Sequence, residues 1–182
     1  MGRDKSFLDA GGIPMIDYIL YRLRPVARDI IIAAREPERF DGRAARVVVD
    51  QIETPSPLAG IHAVLRAARE DAVFVCGVDL PCINERLIRH LYDRLESFDA
   101  VLPQGEAGIE PLYGIYTRAC IVPIEASAAA GRLKITEAVS SCNVQALPVR
   151  ESDWLVDGLS PFTNLNNPGE YDVFRQRMSN LF

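Results

Sequence analysis

Three charged residues stand where an α/β chain places its chemistry. In open α/β sheets, ligands bind beyond the carboxyl ends of the strands. Asp79 closes the apolar run "AVFVCGVD" (72–79) and is followed by Leu80 and Pro81. A carboxylate at the exit of a buried strand is costly to leave unpaired. It can hold a hard cation such as Mg²⁺, which takes one or two carboxylates and fills its shell with substrate phosphates and water. It can equally cap the next helix or fix the "DLP" turn. Asp50 closes "ARVVVD" (45–50). Its carboxylate can accept from a sugar hydroxyl or a base edge, or simply form a turn. Lys5 precedes the glycine turn of "FLDAGG" and is either a point charge for a phosphate or a solvated lysine. Gly60 falls in the first turn of a helix opened by Pro57 and Leu58 in "SPLAG" (56–60). A missing side chain there lets a ligand approach the backbone or lets the helix pack closely.

Other chemistries find little support. His62 and His90 lie on helical stretches without metal-ligand spacing, and no Ser/His/Asp or Cys/His arrangement is visible. Cysteines 76, 82, 120 and 142 fit no common zinc spacing and read as free thiols of a reducing compartment, with Cys76 a small buried hydrophobe. The net charge of −5 argues against nucleic acid as the main ligand. No apolar run reaches the ~18 residues of a membrane span, and no secretory leader is visible, so a cytoplasmic location is expected.

The elements that must position these residues are legible in the hydrophobic pattern. Runs at 29–35, 45–50, 72–79 and 98–103 are apolar without alternation, as strands buried on both faces are. Amphipathic helices are predicted at 15–23, 58–70 and 84–96, the last capped by Asn84. Beyond residue 105 the pattern predicts strands at 110–118 and 144–149 and a short one at 162–166. Helices are predicted there at 119–131, 135–141 and 168–182. Strands alternating with helices mean βαβ units, a mainly parallel sheet and helices on both faces. With 182 residues, 48% hydrophobic, one domain spanning 1–182 is expected.

Seven segments together resemble the molybdenum cofactor guanylyltransferases, the MobA family of nucleotidyltransferases. In order they are "MGRDKSFLDAGGIPMID" (1–17), "VVVD" (47–50), "PLAGIHAVL" (57–65), "FVCGVDLPCI" (74–83), "EPLYGIYTR" (110–118), "GRLKITEAV" (131–139) and "FTNLNNPGEYD" (162–172). The resemblance implies a three-layer α/β/α, Rossmann-like nucleotidyltransferase fold. It implies transfer of GMP from GTP to the terminal phosphate of molybdopterin-bound molybdenum cofactor, with release of pyrophosphate. Lys5 matches the lysine that neutralises nucleotide phosphates, Asp50 an aspartate at the nucleotide, and Asp79 the Mg²⁺-binding aspartate. Asn164 and Asn166 match asparagines near metal and phosphates. Pro57, Leu58 and Gly60 match a nucleotide-binding segment. Small-molecule substrates and molybdoenzyme-maturation proteins are the partners it implies.

The chain departs from the family pattern in places. Ala34 stands where an asparagine often contacts the base, Ser56 replaces a glycine, and Asn167 replaces a threonine. Cytidylyl transfer therefore stays open, as do another phosphate acceptor and a non-catalytic binding module. The family pattern also places a strand and a glycine-rich turn before the segment that here begins at Met1. An upstream stretch of roughly 10–20 residues is expected from that pattern; a chain lacking it is expected to be poorly stable or to fill the gap with a partner or a shifted strand. In-frame coding sequence for a strand and "AGG" upstream of Met1 supports the expectation, and an immediate stop codon refutes it.

Overall fold

A computed structural model describes residues 4–52 and 54–178. Among the described residues are six α-helices and seven strands: α1 (Met15–Leu23), β1 (Ile31–Ala33), β2 (Arg46–Val48), α2 (Pro57–Ala67), β3 (Ala72–Cys76), α3 (Glu85–Asp93), β4 (Ala100–Gly105), β5 (Gly108–Ile109), β6 (Tyr113–Thr117), α4 (Ile121–Ala129), α5 (Ile135–Ala138), β7 (Val144–Pro148) and α6 (Pro168–Met178). The predicted helix starts follow local chemistry. Asn84 accepts from the Leu87 N–H and so caps α3, and Ser56 accepts from the Ala59 N–H with Pro57 opening α2.

The layers follow from alternation along the strands. Val101, Tyr113 and Ile115 face one side, where α1, α3 and α6 deliver Tyr18, Leu87, Leu91 and Phe174. Ala100, Leu102 and Tyr116 face the other, against Leu58, Ile61 and Leu65 of α2 and Ile124 of α4. Both faces are thus dry, which explains the unbroken apolar runs.

The sheet is mixed rather than simply parallel. β4 pairs β7 in parallel, while β6 lies between β3 and β4 and pairs both antiparallel. β3, β4 and β7 therefore share one direction and β6 reverses it. The connection explains the reversal: β4 ends at Gly105 and β6 begins at Tyr113, too short a link for the crossover a parallel neighbour needs. The expected strand at 162–166 is absent. That segment makes one backbone bond to the sheet exit, from the Leu165 N–H to the Asp79 carbonyl at 2.9 Å. The last residues of the predicted closing helix, 179–182, lie outside the described residues, as do positions 1–3 of the first motif.

β1 and β2 pair in parallel as a separate two-stranded sheet. Among the described residues β1 pairs only β2, and β3 pairs only β6, so each leaves one edge without a ladder partner. α2 packs on β1, β2 and β3, and α1 sends Ile16 and Leu20 onto Ile32 and Phe40. Helices rather than hydrogen bonds join the two sheets.

Candidate active site

The chain after β3 turns sharply. The Leu80 N–H bonds the Gly77 carbonyl at 3.1 Å, and Leu80 is fully buried while Gly77, Val78 and Asp79 are half-buried. This leaves Asp79 at the strand exit with its side chain folded back over Gly77. A Cβ on Gly77 would stand 2.5 Å from Asp79 Oδ1, so glycine is required for this carboxylate position. The Asp79 carbonyl receives the Leu165 N–H, and Leu165 is buried in the core. That anchor fixes the backbone of the segment that carries Asn164 and Asn166 at the exit of β3.

Asn166 is held from behind. Its N–H and that of Asn167 both donate to Glu170 Oε2, at 2.8 and 3.1 Å, while the Glu170 N–H donates to Asn167 Oδ1 at 3.0 Å. This is a capping box at the start of α6. Tyr171 on the same helix donates to the Asp9 carbonyl at 2.7 Å and so ties the loop that carries Lys5. That loop starts with a 3₁₀ turn at Lys5–Phe7 capped by Asp4, and it reverses through Gly11 and Gly12, both at positive φ. Lys5 is delivered onto the other two groups: Nζ donates to Asn166 Oδ1 at 2.8 Å and lies 3.5 Å from Asp79 Oδ2.

Lys5, Asp79 and Asn166 thus converge from sequence positions far apart. Asn164, two residues before Asn166 on the same anchored segment, has a buried Oδ1 with no hydrogen-bond partner. A carboxylate and two amide oxygens are hard oxygen donors, and an orphaned one among them fits a small divalent cation that keeps part of its water or phosphate shell. Among the described residues no cluster of three or more His, Cys, Asp or Glu forms a full protein cage. Such an open donor set is what Mg²⁺ uses beside phosphates.

Glu110 belongs to the same neighbourhood and was not singled out from the sequence, although it opens the "EPLYG" segment. Its Oε1 accepts from the Leu112 N–H at 3.0 Å, and the Leu112 carbonyl accepts from the Gly77 N–H at 2.9 Å. Burial, opposed by that backbone bond and reinforced by the Asp79 charge, pushes its carboxyl above the usual range. Cys76, just before the turn, is pushed up to about 12 by burial and the Asp79 charge, so it is an inert thiol.

The remaining candidates lie apart from this cluster. Asp50 follows β2 and lines a surface pocket of about 380 Å³ with Val48, Gln51, Ala63 and Arg66. Its Oδ1 is buried without a partner, and burial raises its pKa against the pull of Arg35. Among the described residues it makes no hydrogen bond or ion pair with Lys5 or Asp79, and an unsatisfied acceptor of this kind suits a hydroxyl or N–H of a ligand. Leu58 is wholly buried in the core, which leaves only its backbone to a ligand, while Pro57 is exposed at the helix start. A Cβ added to Gly60 would meet Ala33 Cβ at 3.6 Å, an ordinary contact, so the packing of α2 on β1 does not by itself require glycine there. Ala34, at the position of the family asparagine, donates its N–H to the Val48 carbonyl.

The geometry can be set beside known proteins. The family described as MobA-like NTP transferase domain matches residues 1–142 of the chain. The chain belongs to this family. Among relatives of this MobA-like domain is a probable molybdenum cofactor guanylyltransferase of Pelotomaculum thermopropionicum, 30% identical over 170 residues, 93% of this chain and 83% of that protein. The fold matches the crystal structure of molybdopterin-guanine dinucleotide biosynthesis protein A from Archaeoglobus fulgidus with a TM-score of 0.83 at 24% identity, covering 98% of this chain and 92% of that one. It also matches 2-C-methyl-D-erythritol 4-phosphate cytidylyltransferase from Thermus thermophilus, with a TM-score of 0.68 at 16% identity over 94% of this chain and 92% of that one. The MobA-like domain is therefore an enzyme domain of the nucleotidyltransferase fold. Among the described residues no helix is long and apolar enough to cross a membrane.

Proposed function

We propose that this MobA-like transferase moves GMP from GTP to the terminal phosphate of molybdenum cofactor and releases pyrophosphate. The observation that carries the reading is the convergence of Lys5, Asp79 and Asn166 at the carboxyl end of β3. An acceptor phosphate oxygen attacks the α-phosphorus, a P–O bond forms, and the bond from that phosphorus to the β-phosphate oxygen breaks. The acceptor is already ionised near neutral pH, so no strong general base is required. Accordingly, no histidine enters the cluster; His62 is buried against Glu125 on the other face of the sheet. What the reaction needs from protein is in-line positioning and charge neutralisation.

Asp79, Asn164 and Asn166 are the groups that would hold Mg²⁺. Bound there, the cation supplies charge stabilisation for the phosphate oxygens. Lys5 offsets the charge on the departing pyrophosphate from the same side. Asp50 accepts from the nucleoside on the neighbouring sheet, with Pro57, the Leu58 backbone and Gly60 lining its approach. Glu110 is near enough to Asp79 to feel its charge and adds negative potential beside the cation. Guanine is favoured over cytosine by the guanylyltransferase name of the relative with 30% identity, where the cytidylyltransferase neighbour has 16%.

The test is a turnover assay with GTP or CTP, Mg²⁺ and molybdenum cofactor, following dinucleotide product by mass. Guanine dinucleotide from GTP supports the reading. Product from CTP alone reassigns the base, and turnover only with a sugar phosphate or other phosphate acceptor reassigns the acceptor. Nucleotide binding with no product for any acceptor points to a binding module.

A further inference from the structure

We propose that Lys5 occupies the cation seat of Asp79 and Asn166 and vacates it when nucleotide phosphates arrive, so that a divalent cation binds well only together with the nucleotide. The inference deepens the site reading above and rests on it for the identity of the ligand. The ammonium of Lys5 uses the two groups that a cation would use: it donates to Asn166 Oδ1 at 2.8 Å and stands 3.5 Å from Asp79 Oδ2. An ammonium has three donors and no acceptor, so it can satisfy both oxygens at once, as a metal does. A second cation entering that seat meets a like charge at close range.

The arrangement is suited to exchange. The Lys5 and Asp79 side chains are each about three-quarters covered, at 27% and 24% exposure, so their attraction is screened only in part. Lysine carries its charge on a flexible four-carbon stem. Its backbone is fixed by the Asp4-capped turn and the Tyr171 tether, so the ammonium can swing while its base stays in place. Asn166 is fixed from behind by Glu170 and keeps its oxygen aimed at the seat whichever cation is there. Triphosphate oxygens offer Lys5 stronger acceptors than an amide and a shared carboxylate. Their arrival both draws the ammonium away and brings extra negative charge to the incoming metal. Free metal without nucleotide is thereby discriminated against, and so is nucleotide without metal.

The experiment measures Mn²⁺ binding by electron paramagnetic resonance on wild type, Lys5→Met and Asp79→Asn, with and without α,β-methylene-GTP. Lys5→Met keeps the stem and removes the charge. Without nucleotide it is expected to bind Mn²⁺ about tenfold more tightly than wild type, the scale of a like charge removed at a partly exposed site. Adding the analogue is expected to tighten Mn²⁺ in wild type by at least that factor and in Lys5→Met by much less. Asp79→Asn is expected to lose Mn²⁺ in both conditions. Equal or weaker Mn²⁺ binding by Lys5→Met overturns the proposal, as does Mn²⁺ binding that survives Asp79→Asn. Lys5→Gln serves if Lys5→Met loses the wild-type circular dichroism spectrum. The readout needs no turnover: failure to make guanine dinucleotide would count against the proposed reaction and leave the exchange to be judged by metal affinity.

Discussion

Replacing Gly77 with alanine is expected to disable the enzyme while barely loosening the fold. Gly77 has no positive φ, so its backbone accepts alanine without strain. The added Cβ would meet Asp79 Oδ1 at 2.5 Å and Leu112 Cβ at 3.5 Å. The second contact is ordinary. The first is relieved only if the carboxylate oxygen retreats by about 0.9 Å, since ordinary contact begins near 3.4 Å. A carboxylate at the end of a side chain moves more easily than backbone, so the stability loss is about 1 kcal/mol, a Tm drop of ~2–4 °C in a chain of this size. Catalysis is less tolerant: misplacing a group by about 1 Å costs on the order of 100-fold. The loss is expected in kcat, with the apparent requirement for Mg²⁺ also raised. Steady-state kinetics and a thermal melt on Gly77→Ala separate the two effects. Leu112→Ala added to Gly77→Ala is expected not to rescue activity, because the clash is with Asp79. Activity within threefold of wild type, or full rescue by the Leu112 change, would refute the reasoning.

Asn164→Leu is expected to leave Tm within ~2 °C and to lower GMP transfer at least ~100-fold, because the replaced Oδ1 has no partner in the fold. A fall in Tm with unaltered kcat would make Asn164 structural. Asp50→Asn is expected to gain stability above the usual carboxylate range and to weaken nucleotide binding. The folded Asp50 carboxyl has a raised pKa, so wild-type stability falls as pH rises from the unfolded pKa through the raised one. The advantage of the variant should vanish below that window in melts run across pH; a constant advantage would contradict it. Glu110→Gln keeps an acceptor for the Leu112 N–H, so the fold is expected to hold while the Mg²⁺ concentration for half-maximal rate rises several-fold. Hydrogen exchange is expected to be faster in the β3 amides that face away from β6 than in the amides of β6, which pairs on both sides. Uniform protection across β3 and β6 would mean that the free edge of β3 is covered.

Much of the site was legible because its parts stand at element ends. The apolar run into Asp79 announced a carboxylate beyond a buried strand, and the capped starts of α2 and α3 lie where Pro57 and Asn84 put them. The resemblance linked Lys5, Asp79, Asn164 and Asn166, and the folded chain brings Lys5, Asp79 and Asn166 into contact. Glu110 was missed because its place depends on β6 running antiparallel beside β3, a pairing between segments almost forty residues apart. Gly77 was missed because "CGVD" gives no hint that the aspartate folds back over the glycine. Leu58 looked like a lining residue in "PLAG", yet its helix turns that side chain into the core. The "FTNLN" segment has the composition of a strand. A single buried anchor at Leu165 and the capping box behind it leave its neighbours as donors to the site instead.

The most direct measurement of the central claim follows label from GTP into product. Protein, Mg²⁺ and molybdenum cofactor are incubated with GTP labelled at the α- or the γ-phosphorus, for wild type and Asp79→Asn. The account predicts α-label in a guanine dinucleotide, γ-label in pyrophosphate, and loss of both products in Asp79→Asn. Label from the γ-phosphorus in the acceptor, or undiminished transfer by Asp79→Asn, would contradict it.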